Sequence, residues 1–235
     1  MAWMCSATTN QGLVNNLWRN GLIKTARVKD AFNKVDRAHF CLDTNDTLPY
    51  EDSPQTIGYD ATISAPHIHA AALESLEKYL QPGHKFLDVG SGSGYLCAVA
   101  AHLVAPGGKV VGVEHIKQLV DMSKENLTKD QVHKQYLEDG DIEIIKADGR
   151  LGYAAKGPYD AIHVGAAAAT LHQELIDQLN SPGKLFIPVE SGYSQYIWEV
   201  TKDENGEVKK EKKYGVLFVP LTDEKQYVTP NSMRN

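Results

Sequence analysis

Apolar residues recur at helical spacing through 10–40, at Leu13 and Leu17, then Ile23, Val28, Ala31, Phe32 and Val35. Gly21 interrupts the run, so two short helices are predicted. The next stretch, CLDTNDTLPYEDSPQTIGYD at 41–60, is rich in turn formers and has no sustained period. It reads as the longest irregular segment, and long ordered loops in compact domains often carry function. Ser64 and Pro66 then read as a helix start, the serine oxygen capping free amides and the proline sitting in the first turn. That helix should run from 66 to 80, where Pro82 and Gly83 stop it.

Beyond this point two periods alternate. Strands are predicted at 85–89, 109–114, 142–146, 161–164 and 184–189, with helices at 95–104, 117–129 and 171–179. Such alternation implies a mostly parallel sheet with helices on both faces, the doubly wound, Rossmann-like α/β class. The tail changes character: 195–201 and 214–220 read as an antiparallel hairpin whose turn signal is Asn205 and Gly206. A chain of 235 residues can form one domain. Its expected parts are a helical cap with a loop (1–81), an α/β core (82–220) and a closing segment (221–235).

Composition narrows the function classes. No window approaches the roughly 18 unbroken apolar residues of a membrane span, so no membrane partner is expected. With 24 basic against 30 acidic side chains the net charge is -6, which disfavours attraction to nucleic-acid phosphates. The basic cluster from Lys209 to Lys213 reads as the solvated flank of a turn. The amino terminus lacks the basic start and apolar stretch of a secretory signal. Cys5, Cys41 and Cys97 are odd in number and include no CxxC pair, so free thiols in a reducing cytosol are expected and no zinc site. His67 and His69, at i and i+2, face different sides of a helix and make no metal pair.

The candidate chemistry begins at LDVGSGSGY, 87–95, which follows a buried strand and opens a helix, the place where doubly wound folds bring a cofactor against the backbone. Gly90, Gly92 and Gly94 give G-x-G-x-G rather than the dinucleotide pattern G-x-G-x-x-G, which favours a nucleoside without a pyrophosphate. Asp88 ends the first strand facing this loop. Glu114 ends the second, where a carboxylate can accept from both ribose hydroxyls. Asp148 follows the third and could take an adenine amino group, or serve as a turn cap. Three acids after three successive strands resemble the signature of S-adenosylmethionine-dependent methyltransferases. A nicotinamide oxidoreductase and a non-catalytic cofactor-binding module are the rival readings. His163, at the end of a later strand, reads as structural or cofactor-adjacent, with an acid–base role as the alternative.

The segment DSPQTIGYDATISAPHIHA at 52–70 is not explained by a generic methyltransferase core. It resembles the amino-terminal signature of the protein-L-isoaspartate (D-aspartate) O-methyltransferases, and the similarity continues through MAW at the start, LDVGSGSG at 87–94, YDAIHVGAA at 159–167, PGKLFIPV at 182–189 and VPLT at 219–222. The resemblance implies methyl transfer from S-adenosyl-L-methionine to the α-carboxylate of L-isoaspartyl residues in damaged proteins and peptides, with D-aspartyl residues as a second candidate substrate, by a cytoplasmic monomer. The methyl ester then closes to a succinimide that can reopen as normal aspartate. Carried over by position, Ser64 is the active-site serine. Ala61, Thr62, Ile63 and His67 fall on the cofactor and substrate wall. Gly90, Ser91, Gly92, Glu114, His115, Asp148 and Gly149 fall on cofactor contacts, and Thr222 and Gln226 on the closing segment. The chain departs from the family pattern in a longer loop at 41–48, in Leu171 and His172 where a proline is usual, and in a shorter spacing from Thr222 to Gln226.

Overall fold

Two amphipathic helices come first in the computed structural model, which describes residues 5–42 and 48–221. Helix α1 (Asn10–Arg19) buries Leu13, Val14 and Leu17, and the Thr9 hydroxyl caps it by accepting the Gly12 N–H. Helix α2 (Ala26–Asn33) buries Val28, Ala31 and Phe32, and a 3-10 turn at Arg37–Phe40 follows. The segment read as irregular contains a small hairpin, β1 (Gln55–Gly58) against β2 (Ala61–Ile63). Its two-residue turn is Tyr59–Asp60, and both residues take φ of 55°, the left-handed geometry of a type I′ turn. Asn-Gly or Asp-Gly usually announces that turn; Tyr-Asp gives no such signal.

Helix α3 (Pro66–Leu76) continues as a 3-10 turn to Tyr79. Ser64 is not its cap. Ala65 occupies the capping position and makes no side-chain bond, while Asp52 Oδ1 accepts the His67 N–H at 2.9 Å from fifteen residues away. Pro66 has no N–H to satisfy, so the first free amide belongs to His67, and a buried carboxylate reaches it.

The main sheet is built from β3 (Lys85–Val89), β4 (Lys109–Glu114), β5 (Ile142–Lys146), β6 (Tyr159–Val164), β7 (Leu179–Ser191), β8 (Ser194–Lys202) and β9 (Val208–Val216). Its order is β5-β4-β3-β6-β7-β8-β9, parallel as far as β7 and antiparallel for the last two strands. Helices α4 (Tyr95–Val104), α5 (Lys117–Thr128), α6 (Gln131–Glu138) and α7 (Gln173–Asp177) connect the parallel strands. Side chains alternate across the sheet as the pleat requires. Phe86, Val110, Ile142, Ala161 and Phe186 join the helices α1 to α5 in one apolar cluster, and Leu87, Val111, Ile162 and Leu185 face the other side, where α7 packs. Helices cover both faces, one much more thickly than the other.

Several elements differ from expectation, among them β6, which starts at Tyr159, and β7, which spans Leu179–Ser191. α6 is an element that the sequence reading lacks; Asp130 caps it by accepting from Val132 and His133 N–H, and it is short, with His133 buried and Tyr136 and Leu137 half-buried against the core. α7 is shorter than 171–179, because Leu179 already belongs to β7. β9 starts at Val208, so Lys209–Lys213 lie within a strand and not on a turn flank. Residues 217–220 leave the hairpin and pass back across the carboxyl ends of the parallel strands: the Ala167 N–H donates to the Val219 carbonyl at 2.8 Å and the Leu221 N–H to the Ala167 carbonyl at 2.7 Å.

Candidate active site

Strand order reverses between β3 and β6, and open α/β sheets take ligands outside the carboxyl ends of the strands at such a switch point. The loop after β3 occupies that position here. Its Gly90 and Ser91 N–H groups donate to the Val113 carbonyl of β4 at 2.8 and 3.1 Å, and the Asn126 side chain of α5 donates to the Ser93 carbonyl at 3.1 Å. Glycine is required at Gly92, with φ +50°, where an added Cβ would lie 3.2 Å from Ile57 of the β1–β2 hairpin. At Gly94, with φ +85°, it would lie 3.1 Å from Ser123. The hairpin therefore closes directly onto the loop.

Two adjoining chambers meet at this loop and share Thr62, Gly90, Gly92 and Gly165. The first is walled by Ile63, Ser64, His69, Asp88, Ser91 and Tyr95, with His163 among its lining. The second is walled by Ala61, Glu114, His115, Ala166 and the carboxyl-terminal residues Val219–Leu221. Ten of the sequence-predicted residues thus fall on one cleft: Ala61, Thr62, Ile63, Ser64, Asp88, Gly90, Ser91, Gly92, Glu114 and His115.

Glu114 is only 5% exposed, and its two oxygens accept the Gly92 N–H at 3.1 Å and the Ile116 N–H at 3.0 Å. A carboxylate can accept about four hydrogen bonds, so two backbone donors fix its orientation and leave capacity toward the cleft. Asp88 and His163 form a buried pair with Nδ1 2.7 Å from Oδ1, a contact that puts the ring proton on Nδ1. Cys97 donates to the other Asp88 oxygen at 3.4 Å, and burial, reinforced by Asp88, keeps that thiol pKa well above its ordinary value. His163 Nε2, His69 Nδ1 and Ser91 Oγ are buried and have no hydrogen-bond partner among the described residues. Unpaired buried polar atoms are costly and rare, and three of them beside one cleft mark the places a polar ligand would satisfy.

Several expected residues stand elsewhere. His67 faces away from the first chamber: its Nδ1 lies 2.8 Å from the buried Asp52 carboxylate, and His69 takes the place on the wall. Asp148 caps the 3-10 turn Gly149–Leu151 and is gripped by Arg150, whose side-chain hydrogen bonds hold its carboxyl pKa below the ordinary value. Neither Asp148 nor Gly149 is among the residues that line the two chambers; an added Cβ at Gly149 would meet Val89 at 2.5 Å and Leu221, a wall residue of the second chamber, at 3.7 Å. Thr222 and Gln226 lie outside the described residues. Sequence reasoning did not single out Tyr95 and Ser93. The signal for Tyr95 was its place directly after the glycine loop, at the first turn of α4.

Comparison with known proteins agrees with this geometry. The family model for protein-L-isoaspartate(D-aspartate) O-methyltransferase matches residues 8–226. A protein-L-isoaspartate O-methyltransferase of Caenorhabditis elegans is 45% identical over 226 residues, covering 96% of this chain and 98% of that protein. One from Triticum aestivum is 45% identical, covering 92% and 93%. Among solved structures, a protein-L-isoaspartate O-methyltransferase of Plasmodium falciparum in complex with S-adenosyl-L-homocysteine superposes with a TM-score of 0.83 at 36% identity, covering 91% of this chain and 98% of that one. A cleft at the switch point, the isoaspartyl-type segment on its wall and similarity over nearly the whole length lead to one assignment: the chain belongs to the protein-L-isoaspartate(D-aspartate) O-methyltransferase family.

Proposed function

We infer that this chain transfers a methyl group from S-adenosyl-L-methionine to the free α-carboxylate of L-isoaspartyl residues in damaged peptides and proteins, opening their repair through a succinimide. The carrying observation is the junction of the two chambers at the glycine loop, with Glu114 on one side and Ser64 on the other. The residues present fit the cofactor: a carboxylate with spare acceptor capacity suits ribose hydroxyls, and Ser91 Oγ and His163 Nε2 lack partners that an amino-acid arm can supply.

When bound, S-adenosylmethionine supplies a methyl group activated by a positively charged sulfur. Glu114 and His115 hold its ribose side, Gly90 and Gly92 admit it to the backbone, and Asp148 with Gly149 borders its base. Ala61, Thr62 and Ile63 separate it from solvent. An acceptor carboxylate with a pKa of roughly 3 to 4 is already ionised at neutral pH, so the protein needs no general base for it. What remains is orientation and exclusion of water, and holding reactants in line is worth roughly 7 to 11 kcal/mol. Ser64 contributes by donating one hydrogen bond to the carboxylate. D-aspartyl residues are the second proposed substrate, and a cytosolic monomer is the proposed form. The family description, which includes D-aspartate, supports the second substrate, and three free thiols support a reducing compartment.

Two measurements test this. The protein should methylate an isoaspartyl peptide and leave its normal aspartyl twin at background; equal labelling of the two, or none of either, rejects the function. Glu114→Gln should weaken S-adenosylmethionine binding by about 1.5 to 3 kcal/mol, the range for hydrogen bonds to a charged group. An unchanged dissociation constant by calorimetry would remove Glu114 from the cofactor site.

A further inference from the structure

Directly behind the Ser64 wall lies a buried charge that the mechanism above does not use. Arg37 is 0% exposed. Its Nη2 donates to the Ser64 carbonyl at 2.9 Å, its guanidinium lies 5.4 Å from the centre of the Tyr95 ring, and Nε and Nη1 have no hydrogen-bond partner among the described residues. Ser64 and Tyr95 both line the first chamber, so Arg37 sits one layer beneath its surface. Guanidinium does not deprotonate in proteins, and an incompletely paired buried charge is expensive to keep.

The surrounding groups leave that charge largely uncompensated. Burial raises the pKa of the Cys41 thiol and of the Tyr95 hydroxyl, so neither offers an anion. Burial and then the Arg37 charge hold the His69 pKa well below its usual value, so His69 stays neutral. The one carboxylate that Arg37 feels is Asp52, and among the described residues no ion pair joins them. Asp52 is engaged at the other end of the same turn, where it accepts from the backbone and ring of His67, and its Oδ2 is also unpartnered. The Ser64–His67 turn is thus held between a buried cation at its Ser64 end and a buried anion at its His67 end.

We propose that Arg37 is a positioning residue for the acceptor: its charge, acting through the Ser64 end of the turn, makes the first chamber select a carboxylate over a neutral isostere, and Asp52 moderates that preference. This rests on the reading that the acceptor carboxylate sits at Ser64. A neutral group gains little from a buried cation behind the wall, whereas a carboxylate gains in full because little water screens the interaction. The arrangement would explain why an arginine is buried behind Ser64 and Tyr95.

The test compares binding of an isoaspartyl peptide with that of its α-carboxamide counterpart, by calorimetry on protein saturated with S-adenosylhomocysteine. Wild type should prefer the carboxylate. Arg37→Gln should lower the preference about tenfold or more while affinity for the carboxamide and for S-adenosylhomocysteine stays within about twofold, and Arg37→Lys should retain most of it. Asp52→Asn, which keeps an acceptor for the His67 N–H, should move the ratio the other way, up by about threefold. That opposite sign stands as a test even if Arg37→Gln does not fold. A carboxylate-preferring wild type with an unchanged ratio in Arg37→Gln, or a fall in Asp52→Asn, overturns the role of Arg37 alone. A wild type that binds neither peptide overturns the methyltransferase reading and this inference with it.

Discussion

Alanine at Ser64 lowers kcat by roughly 10- to 1000-fold and leaves cofactor affinity and melting temperature close to wild type. The size follows from one lost positioning hydrogen bond in the reacting geometry, about 1.4 to 4 kcal/mol. The unchanged melting temperature follows from the fold. Ser64 makes no capping bond to α3, whose first free amide is satisfied by Asp52, and what holds the turn is the Ser64 carbonyl on Arg37, which alanine retains. Three outcomes separate three roles. Loss of essentially all activity in the variant, together with a methylated Ser64 trapped on the wild-type chain, would indicate covalent catalysis, and a lower melting temperature of the variant with near-normal kcat would indicate a structural role. Near-normal kcat of any kind defeats the orienting role.

Ending the chain after Val219 abolishes turnover and weakens cofactor binding by roughly tenfold or more. Leu221 forms part of the wall of the Glu114 chamber and its N–H donates to the Ala167 carbonyl, so its removal opens that wall to water. Burying one leucine is worth about 1.5 to 3 kcal/mol, which sets the lower bound on the effect. The anchor that precedes it survives: Gln195 of β8 brackets Phe218 through the Phe218 N–H at 2.6 Å and the Phe218 carbonyl at 3.1 Å. A chain ending after Leu221 keeps the wall residue and lacks Thr222 and Gln226, so comparing the two endings divides the closing role between Leu221 and the residues beyond it. Full activity in the shorter chain would rule out a closing segment.

The sequence was most informative where the local pattern and the tertiary environment demand the same thing. Strands β3, β4 and β5 stand at their expected residues: β3 and β4 are largely buried runs in the middle of a parallel sheet, and β5, at its edge, alternates buried and half-exposed positions. Gly90, Gly92 and Glu114 were legible for a related reason: backbone approach and strand-end position restrict what can stand there. The misses share a different cause. The cap of α3 comes from Asp52, far away in sequence, so the nearby Ser64 looked like the cap. His67 and His69 could be placed on different sides of the helix, but which side faced the cleft depended on that same buried carboxylate. β9 is an exposed edge strand of lysines, without the alternation that reveals a half-buried strand. Arg37 drew no reading from the sequence, because the groups that surround it, the Ser64 carbonyl and the Tyr95 ring among them, lie far away along the chain.

The lysine-rich stretch of β9 has a bearing on what can pair with the sheet. As the last strand of the sheet, β9 leaves one row of backbone N–H and C=O groups free to pair with any extended chain that meets it. An unguarded edge of this kind is a template for pairing with another chain and for aggregation. Lys209, Lys210, Lys212 and Lys213 are all exposed along that edge, with Glu211 the only acid among them. Two such edges meeting would set like charges against each other, and an apolar strand would have to dock beside exposed lysines, of which Lys209 and Lys213 are ion-paired with Glu211 and Lys212 lies over the Tyr196 ring. A basic run on this edge thus disfavours extension of the sheet by another strand.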